Sequence, residues 1–109
     1  MSQTSETERR AHPRYPLGES VEFFHAPTRR NFPASCRDIS HGGMLMYVPA
    51  ATPVAPGQSV RLRLADTLMP AMADLAGKII QAVIVRVDRR ALLAGGHVAL
   101  GVRFSGTSS

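Results

Sequence analysis

A single cysteine, Cys36, stands in the whole chain, so no internal disulfide can form and no zinc cage of cysteine thiolates can be built. That usage agrees with a reducing compartment. Tryptophan is absent, and two Tyr and four Phe make up an aromatic share of 6%. General binders of single-stranded nucleic acid use aromatic stacking platforms, so this scarcity argues against a nucleic-acid partner. No uncharged apolar run reaches the roughly 18 residues of a membrane span, and the start, MSQTSETERRAHPRYP, has no apolar stretch of the secretory kind. The expectation is a cytoplasmic protein with no membrane span. Lysine is nearly missing too, because Lys78 is the one lysine among thirteen Lys+Arg. The other cations are arginines, whose planar fork suits phosphates, carboxylates and guanine edges. Against eight Asp+Glu they leave a net charge of +5, which favours an anionic partner without placing a site.

At 109 residues the chain fits one compact domain, and its 44% hydrophobic content is enough for a core. Residues 1–16 are polar, charged and interrupted by Pro13 and Pro16, and are expected to form a flexible arginine-bearing tail. Six short apolar runs follow, SVEFFHA, ASCRDIS, GMLMYV, SVRLRLA, AGKIIQAVIVRVD and HVALGVRF, separated by Pro, Gly and Asn. These are expected as strands. In SVRLRLA, Val60, Leu62 and Leu64 alternate with Arg61 and Arg63, the period-two pattern of one buried and one wet face. The segments APTRRNFP, PAATPVAPGQ and LLAGG carry turn chemistry. DTLMPAMADLAG offers Asp66 as a cap and Leu68, Met69, Met72 and Leu75 near helical spacing, but Pro70 reduces it to an irregular loop or a single turn. Strands at about ten-residue spacing without helical crossovers imply an all-β protein, an antiparallel barrel or curled sandwich over residues 17–105, followed by a disordered end at 106–109 and no long C-terminal helix.

Catalytic arrangements find little support. Asp38, Ser40 and His41 are neighbours on one strand and cannot converge as a nucleophile, base and orienting acid. His12, His25, His41 and His97 lack paired metal-ligand spacing, and there is no phosphate-binding glycine loop, so neither an enzyme nor a metal site is expected. In DISHGGM, by contrast, an extended strand puts Asp38 and Ser40 on one outward face and Ile39 on the core face. Gly42 and Gly43 then permit positive φ and, lacking Cβ atoms, let another molecule approach closely. A tight turn closed by an Asp or Ser side chain accounts for the same residues. Upstream, Arg9, Arg10 and Arg14 lie in RRAHPR, where Pro13 opposes a helix and an extended chain sets Arg10 and Arg14 up to about 13 Å apart. That span suits a stacked nucleotide, and a solvated basic tail is the plainer alternative.

Together these two stretches resemble the PilZ domain, a bacterial receptor module for cyclic di-GMP. The family's RxxxR motif is matched by Arg10-Ala11-His12-Pro13-Arg14, and its (D/N)xSxxG motif by Asp38-Ile39-Ser40-His41-Gly42-Gly43, with GVRF in place of a closing strand. The resemblance implies a six-stranded antiparallel β-barrel of the split-barrel type, with an arginine segment that folds over cyclic di-GMP lying against the second motif. It implies that Arg10 and Arg14 clamp guanine edges and phosphates, Asp38 accepts from a guanine, Ser40 bonds the ligand or holds the loop, and Gly43 gives clearance with help from Gly42. Arg9, directly before the first motif, resembles the type that binds an intercalated pair of ligand molecules, a solvated Arg9 being the alternative. No cofactor is implied beyond this ligand. Binding is expected to order the tail and to signal to a downstream protein partner. The alternatives are a PilZ-like protein-interaction module that binds no nucleotide and a general nucleic-acid-binding barrel.

Overall fold

The computed structural model describes residues 15–64, 74–75, 77–93 and 96–108. Six strands follow in chain order: β1 (Tyr15–His25), β2 (Arg30–Ile39), β3 (Gly43–Pro49), β4 (Ser59–Arg63), β5 (Ile79–Leu93) and β6 (His97–Ser108). They close into an antiparallel barrel in the order β1-β2-β3-β6-β5-β4, so the all-β six-stranded architecture read from the sequence is the architecture of the protein. The closing seam is short, with Phe23, Phe24 and His25 of β1 opposite Leu62, Arg61 and Val60 of β4. Among the described residues no helix is long and apolar enough to cross a membrane.

Alternation along each strand decides which side chains fill the interior. On β4, Val60 and Leu62 are buried while Arg61 and Arg63 are exposed. On β3, Met44, Met46 and Val48 point in, and β6 adds Val98, Leu100 and Val102. Phe23, Ile39, Ile80 and Ile84 complete the centre, with the Phe23 and Phe32 rings tilted against each other at 6.0 Å. A barrel of so few strands is filled by its own side chains. Any ligand must therefore sit on the outer face or at a rim. His25 is buried at the top of β1, where Nε2 donates to Gln58 Oε1 at 2.8 Å and Nδ1 bonds Thr28 Oγ1 at 2.8 Å.

Several strands run further than their apolar patterns. Tyr15 and Pro16, expected as the end of the tail, already belong to β1 and lie opposite Ile39 and Asp38. Residues 106–108, expected as a disordered end, extend β6 and face Gln81, Ile80 and Ile79. Leu93 of the expected LLAGG loop pairs with His97, and the APTRRNFP loop shrinks to a turn at residues 26–29. In each case the neighbouring strand satisfies backbone groups that local composition leaves unassigned. Pro33 is tolerated in β2 because the β2–β3 pairing begins at Ser35, and there Pro33 faces only Glu22 of β1. Of DTLMPAMADLAG, residues 66–73 lie outside the described part, and Asp74–Leu75 form a short 3-10 turn.

Candidate functional site

The apolar positions of β2 change parity. Ala34 and Cys36 are buried at even numbers, yet Ile39 is fully buried at an odd one. A bulge resolves this: Cys36 lies opposite Met46 and Asp38 opposite Leu45, so Arg37 is one residue in excess. β1 meets the same place with Leu17 and Gly18 between Pro16, opposite Asp38, and Glu19, opposite Cys36. On β5 the same happens at Val85, because Ile84 faces Val102 while Arg86 faces Gly101. Val85 is thereby pushed outward to 49% exposure. All three bulges border one outer groove of about 930 Å³, lined by Pro16, Gly18, Arg37, Asp38, Leu45, Val85, Arg86 and Gly101 together with Met44 and Val102. Bulges bend a sheet and re-aim side chains. The volume lies at the upper end of the roughly 300–1,000 Å³ of small-molecule clefts, enough for a dinucleotide.

A single register row crosses this groove. Pro16 faces Asp38, Asp38 faces Leu45, Leu45 faces Gly101, and Gly101 faces Arg86. Residues directly opposite in antiparallel strands share a face. The row therefore runs from a carboxylate over an apolar, partly bare floor to a guanidinium, three strand spacings away, about 14 Å along the sheet. Arg37 lies beside Asp38 with its guanidinium 6.0 Å from the centre of the Tyr47 ring.

The loop after β2 is built by Ser40. Its side chain is only 3% exposed, and Oγ accepts from the N–H groups of Gly42 at 3.1 Å and Gly43 at 3.2 Å. Ser40 N in turn donates to the Gly43 carbonyl at 2.9 Å, and Phe104 N donates to the Gly42 carbonyl at 2.9 Å. The expected outward pairing of Asp38 with Ser40 is thus corrected. The strand ends at Ile39, the chain turns, and Ser40 faces the backbone it holds. Among the described glycines, positive φ is found at Gly57, Gly77 and Gly96, so neither Gly42 nor Gly43 uses that freedom. Gly43 is bare for another reason: a Cβ there would run into the Val102 carbonyl of β6. Its clearance serves the barrel itself. Next to this turn, His41 Nε2 meets Asp74 Oδ1 at 3.0 Å. The hydrogen bond from His41 is the chief reason that the Asp74 carboxyl titrates below its ordinary 3.8, with smaller help from the charges of His41 and Lys78.

Of the residues singled out in the sequence, Asp38, Ser40, Gly42 and Gly43 fall on one rim of the groove or on the turn beneath it. Arg9, Arg10 and Arg14 lie outside the described residues. Sequence reasoning missed Arg37, Leu45, Val85, Arg86 and Gly101. The three-residue step between the buried Cys36 and Ile39 is a legible sign of a bulge. No equivalent sign exists in AVIVRV, where both parities are apolar.

The comparisons with known proteins agree with one another. A family model described as PilZ domain matches residues 8–109. Among solved structures, the PilZ domain with c-di-GMP of YcgR from Escherichia coli is similar, with a TM-score of 0.58 and 17% identity over 88% of this chain and 77% of that one. At that identity the likeness carries the fold. No match was found among curated protein sequences.

Proposed function

The chain belongs to the PilZ domain family, and from that premise we propose that it is a receptor for cyclic di-GMP that acts by binding, not by catalysis. The observation that carries the reading is the β1–β2 register. Tyr15 opposite Ile39 and Pro16 opposite Asp38 bring the chain out of the RxxxR segment directly at the Asp38 rim of the groove. Peptide geometry keeps the Cα of Arg14 about 3.8 Å from that of Tyr15, and that of Arg10 within about 18 Å. Both arginines are therefore within reach of a ligand in the groove. The similar YcgR structure contains c-di-GMP, which supports the same ligand class here.

In this reading Arg10 and Arg14 clamp guanine edges and phosphates, and the Asp38 carboxylate accepts from guanine N1 and N2 groups. Ser40 acts through the turn that fixes the rim, with Gly42 and Gly43 supplying the two N–H groups it holds. Arg9 stacks on the outer guanine of an intercalated pair, in which the second molecule lies beyond the groove against the arginine segment. Residues 1–14 act as a ligand-responsive arm on the barrel, and their change on binding passes to a protein partner in the cytoplasm. Cys36 is buried and in no disulfide, in keeping with that compartment.

Calorimetric titration tests the reading. Cyclic di-GMP is expected to bind with a stoichiometry near two, and Arg10→Ala and Arg14→Ala each to weaken binding by about ten- to a hundredfold, since a bidentate arginine contact is worth about 1–3 kcal/mol. No heat and no thermal shift up to about 100 μM ligand would overturn the receptor reading. A stoichiometry near one would remove the role of Arg9, and unchanged binding in the two arginine variants would remove theirs.

A further inference from the structure

Two glycines in the barrel wall invite the same question and receive different answers. Gly43 is bare because the Val102 carbonyl occupies the space of its Cβ. Gly101 has no such reason. Its φ is not in the left-handed region, and a Cβ built on it would meet Arg86 Cβ at 3.8 Å and the Val85 side chain at 3.9 Å, ordinary contact distances. Neither backbone conformation nor packing asks for glycine there, although glycine weakens a strand interior. A bare strand position accompanies a bulge or leaves room for the close approach of another molecule, and Gly101, opposite the β5 bulge, does both. Gly101 lies in the floor of the groove, at the fourth place of the row that begins with Pro16 and Asp38. Beside it the β5 bulge turns two consecutive side chains outward, Val85 and Arg86. Val85 is the exposed large apolar residue among those described, and Arg86 closes the row as a cation facing Asp38 across Leu45 and Gly101.

We propose that the β5–β6 side of the groove is the second half of the ligand site, in which Gly101 is the bare floor against which a purine ring rests, Val85 its apolar edge, and Arg86 the cation that receives a phosphate oxygen or a guanine O6/N7 edge opposite Asp38. The inference rests on the receptor reading and extends it to residues that belong to neither sequence motif. Arg86 adds a fixed cation to those of the arginine segment. One side of the ligand is thereby held by a rigid strand, where less ordering is needed on binding.

The test is calorimetric titration of the full chain with cyclic di-GMP, using wild type, Arg86→Ala, Arg86→Lys and Gly101→Ala, with a melting curve of each variant without ligand. Wild type is expected to bind and Arg86→Ala to lose about ten- to a hundredfold in affinity. Arg86→Lys should recover part of the loss, since it restores the charge without the fork. Gly101→Ala, which adds a methyl group to the floor, should lose about tenfold. The unliganded melting temperatures should stay within about 2 °C of wild type, as changes at exposed positions rarely exceed about 0.5 kcal/mol. Should Gly101→Ala fold poorly, the exposed Arg86 variants still decide. Wild-type binding with Arg86→Ala within twofold of it overturns this inference and leaves the receptor reading standing. No wild-type binding overturns both.

Discussion

Replacing Ser40 by alanine separates a residue that holds the site from one that touches the ligand. The side chain is 3% exposed, and Oγ is the acceptor for Gly42 N at 3.1 Å and Gly43 N at 3.2 Å. In Ser40→Ala the buried Gly43 N–H loses that acceptor, a loss of about 1–3 kcal/mol for a donor left unsatisfied. The half-buried Gly42 N–H can turn partly to water and adds about 1 kcal/mol or less. The sum is about 1–4 kcal/mol. For 109 residues the unfolding entropy is about 0.2 kcal/mol/K, so the melting temperature should fall by roughly 5–20 °C. Circular dichroism melting and urea titration of the unliganded protein measure this directly. Ser35→Ala, at an exposed position on β2, is the control and should stay within about 0.5 kcal/mol. A Ser40→Ala protein that melts within about 2 °C of wild type would refute the reasoning, and if it had also lost cyclic di-GMP binding, Ser40 would be a ligand contact and not the brace of the turn.

Gly43→Ala should be damaging without any ligand present, because its Cβ collides with the Val102 carbonyl, a backbone atom that cannot swing away. The expected loss is about 1–3 kcal/mol in urea unfolding, in contrast to the near-neutral Gly101→Ala. Ile84→Ala empties a fully buried site in front of the β5 bulge and should lower unfolding free energy by about 2–5 kcal/mol in the same assay. Asp74→Asn probes the contact beside the Ser40 turn. The folded-state pKa of Asp74 lies below 3.8 owing chiefly to the bond from His41, so its contribution to stability is fully present above about pH 4 and is lost as pH falls through the folded value. A small difference in melting temperature between Asp74→Asn and wild type at pH 5 should therefore shrink as pH is lowered below 3.8, and a difference that persists there would count against the contact.

Much of this protein is local in origin and was legible for that reason. Alternation in SVRLRLA and HVALGVRF reports a half-buried strand whatever its neighbours are, and the Val60, Leu62, Val98, Leu100 and Val102 side chains fill the core as that pattern requires. The family resemblance rests on residues close together in sequence, Arg10 with Arg14 and Asp38 with Ser40 and Gly43, and the family is the one the chain belongs to. The groove is different in kind. Its floor and far wall come from β3, β5 and β6, which meet β2 only through pairing, and a one-residue shift in register would turn every side chain to the other face. Whether Arg86 faces solvent alone or stands across from Asp38 depends on excess residues at Arg37 and Val85. Only one of these leaves a trace in the local pattern.

By itself the amino-acid sequence determined an all-β chain, the core faces of its cleanly alternating strands and the two motifs, because periodicity and side-chain chemistry act within a few residues. The tertiary structure alone decided that Ser40 turns inward to its own backbone, that Gly43 makes room for Val102, and that Asp38, Leu45, Gly101 and Arg86 form one row. Those outcomes follow from strand register and bulges, which are settled when six strands close on one another and every backbone group must find a partner.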